Sequence, residues 1–153
     1  MNEGMRTDKA PWHIWVVGVL ALLFTAFGAY DYIMSQTGNL AYMEAAVEPY
    51  GIPAEVAVAY FSSFPVWVDV AWAIGVWLAV AGSVLILLRN RFAYPVFVVS
   101  LAGMAVSNAW AMSNPVPGMT DTTATTVAVA VVVAIMISLT LYARAMVRRG
   151  VLR

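Results

Sequence analysis

The chain has 153 residues, of which 63% are hydrophobic and 10% are charged, whereas about a quarter of the residues of an average soluble domain are charged. Eight basic and eight acidic residues give zero net charge, which argues against nucleic acid as a partner. The absence of cysteine excludes disulfides, thiol catalysis and iron–sulfur clusters. The chain has one histidine, His13, and one lysine, Lys9, so we predict neither a metal site nor a cofactor.

Four segments are long and apolar enough to cross a bilayer, a distance that takes about 20 helical residues. They lie at residues 12–34, 66–88, 92–112 and 124–147. A chain of 153 residues is too short to enclose four such segments in a polar shell. The pattern therefore predicts an all-α integral membrane protein, a four-helix bundle that forms a single domain over residues 1–153.

The basic residues are confined to one side of the predicted membrane. Arg6 and Lys9 precede the first span, Arg89 and Arg91 separate the second and third spans, and the remaining arginines lie at or beyond the end of the fourth. The loops at residues 35–65 and 113–123 carry acids but no base. Because basic loops stay in the cytoplasm, both termini are predicted to be cytoplasmic and residues 35–65 to be external.

The external loop at residues 35–65 is long for a helical bundle. Residues 41–50 and 54–64 are predicted to form two short helices, separated by Gly51-Ile52-Pro53. Val56, Tyr60 and Phe64 fall on one face of the second helix. This aromatic face is expected either to lie along the membrane surface or to cover the mouth of the bundle.

Small residues recur at every fourth position of each predicted span. Such residues let helix backbones approach closely in lipid, so these ladders predict helix contacts, within one chain or between copies. The ladders are Ala21, Thr25 and Ala29; Ala71, Gly75, Ala79 and Ser83; Gly103, Ser107 and Ala111; and Thr126, Ala130, Ala134 and Ser138.

Three polar residues lie at similar depth near the external ends of the spans. Asp31, Asp69 and Asn108 fall within about one helical turn of the same level. One interpretation is that the two acids simply reach water. The other is an outward-facing pocket, with Tyr32 and Trp72 among its walls, that binds a small cationic or hydroxyl-rich solute.

No catalytic constellation is visible, because no nucleophile has an activating partner nearby. We therefore predict a non-enzymatic membrane protein that serves as an accessory or oligomer-forming component. Its expected partners are the lipid bilayer and either further copies of the chain or another membrane protein. The alternative is a small-solute transporter or binding protein that uses the pocket described above.

Residues 28–37 (GAYDYIMSQT), 60–67 (YFSSFPVW) and 82–89 (GSVLILLR) carry a resemblance to a known group. The chain resembles a family of small four-span proteobacterial inner-membrane proteins provisionally labelled "sugar transporter" or hypothetical. The resemblance implies a bacterial inner membrane and places Asp31 in the most distinctive segment. The layout is more distantly similar to DoxX-like membrane proteins, although the acid expected in the middle of their second span has no counterpart here.

Overall fold

The computed structural model describes residues 10–153, and over that range it contains helices and no strand. Arg6 and Lys9, used above to predict orientation, lie outside the described residues. The elements are α1 (Trp12–Gln36), α2 (Leu40–Val47), a 3-10 turn (Glu48–Tyr50), α3 (Ala54–Ser62), α4 (Val66–Leu87), α5 (Ala93–Ser113) and α6 (Thr123–Arg148).

Four of these helices, α1, α4, α5 and α6, are long and apolar enough to span a membrane, with lengths of 25, 22, 21 and 26 residues. The prediction of an all-α chain with four such helices is confirmed, and each helix ends within two residues of the predicted limits. The two short helices predicted in the loop at residues 35–65 are also present, as α2 and α3.

Prolines and a glycine set the limits of the helices in and around this loop. Pro53 and Pro65 stand in extended conformations immediately before α3 and α4, where the missing N–H of proline leaves no intrahelical bond unmade. Gly51 has a φ of 64° and ends the 3-10 turn, a left-handed conformation that glycine adopts without steric cost. The chain is thereby redirected between α2 and α3.

The long helices run alternately up and down, which gives the molecule two distinct ends. The loop end contains residues 36–66 and 113–123, and the turn end contains residues 88–92 and 148–153. Every acid of the described residues lies at or near the loop end: Asp31, Glu44, Glu48, Glu55, Asp69 and Asp121. Every base of the described residues lies at or near the turn end: Arg89, Arg91, Arg144, Arg148, Arg149 and Arg153.

Helices α4 and α5 approach each other so closely that their backbones touch. A Cβ atom added to Gly103 would lie 2.5 Å from the carbonyl oxygen of Ala71 and 2.8 Å from the backbone nitrogen of Gly75. The hydroxyl of Ser100 donates to the carbonyl oxygen of Gly75 at 2.5 Å. Glycine is therefore required at this crossing, where its missing side chain lets the two backbones meet.

The small-residue ladder of α1 packs against that of α4. The hydroxyls of Thr25 and Ser83 lie 3.2 Å apart, and each also donates to a carbonyl oxygen one turn earlier in its own helix. Their side chains are buried, as are Ala21 and Ala79. The ladders of the first three spans thus form helix contacts within the chain.

Helix α6 joins the bundle only along its second half. Its buried residues are Met136, Leu139, Thr140, Ala143 and Met146, all toward the turn end. Nearer the loop end Thr126, Ala130 and Ala134 are exposed, so the small-residue ladder of α6 makes no seam within the chain. The bundle is therefore packed at the turn end and open beside α6 at the loop end.

The turn end is held together by contacts between distant parts of the sequence. The ring nitrogen Nδ1 of His13 lies 2.7 Å from the hydroxyl of Tyr142 and links α1 to α6. After α6 the chain folds back, so that the backbone N–H of Arg153 donates to the carbonyl oxygen of Arg89 at 2.8 Å. Leu152 is only 2% exposed and belongs to the core that Phe97 and Met136 also form.

Candidate functional site

A cavity of about 480 Å³ lies at the loop end, where α6 diverges from α5. Its volume is within the range of small-molecule sites, roughly 300 to 1,000 Å³. Side chains from α1, α3, α4, α5 and α6 and from the loop before α6 line it, so the cavity depends on the whole fold. The residues that matter most below are Asp31, Tyr60, Phe61, Phe64, Trp72 and Asn108.

Asp31 is the one acid that lines this cavity among the described residues. The hydroxyl of Tyr42 donates to its Oδ1 atom at 2.5 Å. Tyr42 reaches Asp31 because the left-handed Gly38 (φ 62°) turns the chain, and Asn39 then caps α2 by accepting from the backbone N–H of Tyr42 at 3.0 Å. Partial burial, followed by the hydrogen bond to Asp31 and the negative charge there, raises the pKa of Tyr42 above its usual range, so the phenol stays a donor.

Aromatic rings form one wall of the cavity. Phe61 on α3 stacks on Trp72 of α4, with ring centroids 5.5 Å apart and planes at 25°. Phe64 meets Trp72 at 5.9 Å and Trp110 of α5 at 4.7 Å. Such ring pairs are each worth about 0.5 to 1.5 kcal/mol beyond the area they bury, so they fix α3 over the open end of α4 and α5.

Tyr60 provides a polar tie within this aromatic group. Its hydroxyl donates to the backbone carbonyl oxygen of Asn114 at 2.7 Å, which joins α3 to the end of α5. Burial raises the pKa of Tyr60. The loop helix α3 is therefore attached to the bundle by both apolar and polar contacts, and its aromatic face covers the mouth of the bundle.

The polar groups of α5 and α6 complete the lining. Asn108 donates through Nδ2 to the carbonyl oxygen of Met104 at 2.9 Å, and Ser107 donates to the same oxygen at 3.2 Å. The hydroxyl of Ser107 and the amide of Asn108 thus donate to the backbone of their own helix. Thr125 and Thr126 of α6 lie on the opposite wall, followed by apolar Val129.

Three of the five predicted site residues line the cavity: Asp31, Trp72 and Asn108. Tyr32 lies behind the wall, with its ring edge-on to Trp72 at 4.8 Å. Asp69 does not line the cavity but accepts a hydrogen bond from Gln36 Nε2 at 3.1 Å, an exposed contact between α1 and α4. Asp69 has the depth of the predicted layer, but its direction around α4 points it toward the end of α1.

Sequence reasoning did not assign Tyr42, Phe61 or the threonines of α6 to the site. The aromatic stripe at residues 54–64 was a usable signal, since covering the bundle mouth places those rings at the cavity. For Tyr42 the available signal was the Thr37-Gly38-Asn39 turn, which folds α2 back beside Asp31. Helix α6 carries the same small-residue ladder as the packed helices, so that ladder did not indicate its divergence.

No protein-family model, curated protein or solved structure matches the chain. The resemblance stated from the sequence therefore stays a prediction. Within residues 10–153, no three histidine or acidic side chains are grouped so that they could hold a metal ion.

Proposed function

We propose that the chain is a non-enzymatic integral protein of a bacterial inner membrane that binds a small cationic or hydroxyl-rich solute in an outward-facing pocket. Both termini are cytoplasmic in this proposal, and α2 and α3 lie at the outer membrane surface. The four apolar helices support membrane insertion. The separation of acids and bases between the two ends supports the orientation.

The cavity carries the proposal. It is about 480 Å³ in volume, it has a carboxylate, an amide and several hydroxyls in a mainly aromatic and aliphatic lining, and it opens at the acidic end. A few polar groups in a mainly apolar concavity are typical of a small-molecule site, since the apolar walls supply affinity and the polar groups fix orientation.

Binding is favoured over transport for the single chain. Below the cavity the bundle is filled by Phe97, Met136, Leu139 and Met146, which are buried. No charged side chain of the described residues belongs to this core. The buried hydroxyls of Thr25, Ser83 and Ser100 are hydrogen-bonded to helix carbonyl oxygens, so no charged group lines a route from the cavity to the turn end. Transport would require α6 to move or another chain to contribute.

Helix α6 supports a second candidate function, an accessory component that assembles with another membrane helix. Its first half exposes three valines and the small-residue ladder, the type of surface used in helix association. The exposed residues are Val127, Val131 and Val132 and, in the ladder, Thr126, Ala130 and Ala134. The mass of the purified complex in mild detergent tests this: a dimer or larger species that Ala130→Leu dissociates supports it, and a monomer at all concentrations rejects it.

Thermal unfolding of the purified protein with a panel of small solutes tests the binding function. A solute present at 100 times its Kd should stabilise the protein by about 2.7 kcal/mol. Asp31→Asn should reduce that shift, whereas Asp69→Asn, the same change outside the cavity, should preserve it. If no cationic or hydroxyl-rich solute raises the melting temperature, the proposed function is wrong.

The orientation can be tested independently, because the chain contains no cysteine. Single cysteines placed at Ser113 in the loop end and at Arg148 near the turn end give two unambiguous labelling sites. We expect a membrane-impermeant thiol reagent to label intact cells at position 113 and not at position 148. The reverse pattern would place the cavity on the cytoplasmic side.

A further inference from the structure

The proposed function leaves the chemical class of the solute open, and the charges around the cavity narrow it. All six acids of the described residues lie at or near the cavity end, and no lysine or arginine of the described residues lies there. An anionic ligand would meet a carboxylate at Asp31 with no compensating base among the residues that line the cavity. Anions are therefore disfavoured, and cations are attracted by the field of this end.

An inorganic cation does not fit the donor set. Asp31 is the one carboxylate in the lining, and its Oδ1 atom already accepts from the hydroxyl of Tyr42. A calcium ion takes six to eight oxygen ligands and a magnesium ion needs near-octahedral coordination. The cavity provides no such shell within the described residues, since no three histidine or acidic side chains are grouped there.

A sugar-like ligand also fits poorly. Each hydroxyl buried without a hydrogen-bond partner loses binding energy, so a hydroxyl-rich solute needs many polar groups. Ser107 and Asn108 already direct donors to Met104, and the hydroxyl of Tyr60 donates to Asn114. Thr122, Thr125 and Thr126 add three hydroxyls on one wall, but rings and aliphatic side chains make up most of the lining.

The rings fit a cation that carries an apolar body. Phe61, Phe64 and Trp72 form a contiguous aromatic wall on the same cavity as the carboxylate of Asp31. Aromatic faces attract organic ammonium ions through their electrostatic quadrupole, and a weakly hydrated ammonium ion loses less on leaving water than a small metal ion does. Met112 and Val129 extend the lining with aliphatic surface for the remainder of the ligand.

Resting on the proposed binding function, we propose that the ligand is an amphipathic organic ammonium ion. Asp31 receives its charged group, and the wall of Phe61, Phe64 and Trp72 receives its apolar body. Tyr42 positions the carboxylate through its hydrogen bond to Oδ1. Asp69 has no part in recognition, because it lies outside the cavity and contacts Gln36.

Isothermal titration of the full chain in nonionic detergent tests this proposal with four probes. Benzyltrimethylammonium is the candidate ligand type, and choline has the same charge with a smaller body. The neutral carbon isostere of choline, 3,3-dimethylbutan-1-ol, lacks only the charge, and methyl glucoside is hydroxyl-rich. We expect benzyltrimethylammonium to bind most tightly, and choline to bind at least about tenfold more tightly than its neutral isostere, a difference of about 1.4 kcal/mol.

Matched variants locate the site. Asp31→Asn keeps an acceptor for Tyr42 and should weaken benzyltrimethylammonium binding at least tenfold, whereas Asp69→Asn should change it less than twofold. Trp72→Leu should also weaken the binding of benzyltrimethylammonium, but choline should still bind more tightly than its neutral isostere. Circular dichroism and a thermal melt of each variant confirm that it is folded.

The outcomes separate this inference from the function on which it rests. Equal binding of the charged and neutral isosteres, or equal weakening by Asp31→Asn and Asp69→Asn, overturns the inference. Binding of methyl glucoside without binding of either ammonium ion also overturns it but leaves the proposed binding function intact. If none of the four probes binds and the wider solute panel is also silent, both proposals are wrong.

Discussion

Replacing Gly103 by alanine is the sharpest test of how α4 and α5 are joined. The new methyl group would lie 2.5 Å from the carbonyl oxygen of Ala71, whereas ordinary van der Waals contact begins at 3.4 Å. The difference, 3.4 minus 2.5, is 0.9 Å, and backbone atoms must supply it because the two nearest atoms belong to the backbones of Ala71 and Gly75. Helices α4 and α5 must therefore separate or shift at their crossing.

The cost follows from three terms. Overpacking a close contact costs about 1 to 3 kcal/mol, and straining the bond from Ser100 to Gly75 adds about 1 kcal/mol. The higher helix propensity of alanine offsets about 1 kcal/mol of this loss of stability. We expect Gly103→Ala to lower the free energy of unfolding by about 1 to 3 kcal/mol.

Gly28→Ala is the matched control, because Gly28 lies in α1 and, beyond its chain neighbours and the backbone of its own helix, no atom comes within 4 Å of its added Cβ. Here only the difference in helix propensity remains, so the free energy of unfolding of the variant should rise by roughly 0.5 to 1 kcal/mol. Unfolding both variants in mixed micelles with increasing sodium dodecyl sulfate gives the comparison. If the two variants have the same stability within about 0.5 kcal/mol, the backbone contact does not determine the packing.

Three further substitutions test single contacts by thermal melting. Tyr42→Phe should cost about 1 kcal/mol through the lost bond to Asp31. Burial and Asp31 raise the pKa of Tyr42, so the fold favours the neutral phenol. The stability difference between wild type and Tyr42→Phe should therefore be complete below pH 10 and decrease as pH rises above about 10. A stability difference independent of pH would contradict this. Asp69→Asn should change stability by less than about 0.5 kcal/mol, because its contact with Gln36 is exposed; a larger loss would show a structural role. Leu152→Ala should cost about 2 kcal/mol or more, since this side chain is 2% exposed, and an unchanged melting temperature would show that the tail is not docked.

The four long helices could be predicted from the sequence because the length and apolar character needed to cross a membrane are properties of each segment alone. A segment of about 20 apolar residues is recognisable without knowing its neighbours, and α1 begins at Trp12, where the sequence predicts it. The separation of charges is equally local. Both properties follow from the composition of each segment rather than from contacts between segments.

The divergence of α6 could not be predicted, because valine is equally suitable for lipid and for a protein core. Val127 and Val131 are exposed, although their helix has the same small-residue pattern as α4. A difference visible in retrospect is glycine: Gly18, Gly75 and Gly103 lie at close contacts of α1, α4 and α5, and α6 has none. Small residues alone therefore do not identify a seam.

Part of the site could be predicted, since polar residues in apolar segments are few. Asp31 and Asn108 both line the cavity. Depth along a helix follows from sequence position, but direction toward a cavity depends on how the helices are rotated. Asp69 illustrates this limit, since it has the predicted depth and turns toward Gln36.

The position of the cavity also distinguishes binding from transport through the effect of membrane voltage. Moving one charge across the whole membrane is worth about 2.3 kcal/mol per 100 mV. Asp31 lies five residues before the end of α1, about 7.5 Å at 1.5 Å per residue, so a bound ammonium ion would cross only a small part of the field. A depth of about 7.5 Å is a quarter of a hydrocarbon core of about 30 Å, so the field at 100 mV contributes about 0.6 kcal/mol. If the chain only binds its ligand, the affinity of benzyltrimethylammonium in proteoliposomes should therefore change less than about threefold when a potential of 100 mV, negative inside, is imposed. Accumulation inside the vesicles that follows the potential would instead require a path past the packed turn end, and the binding proposal would give way to transport.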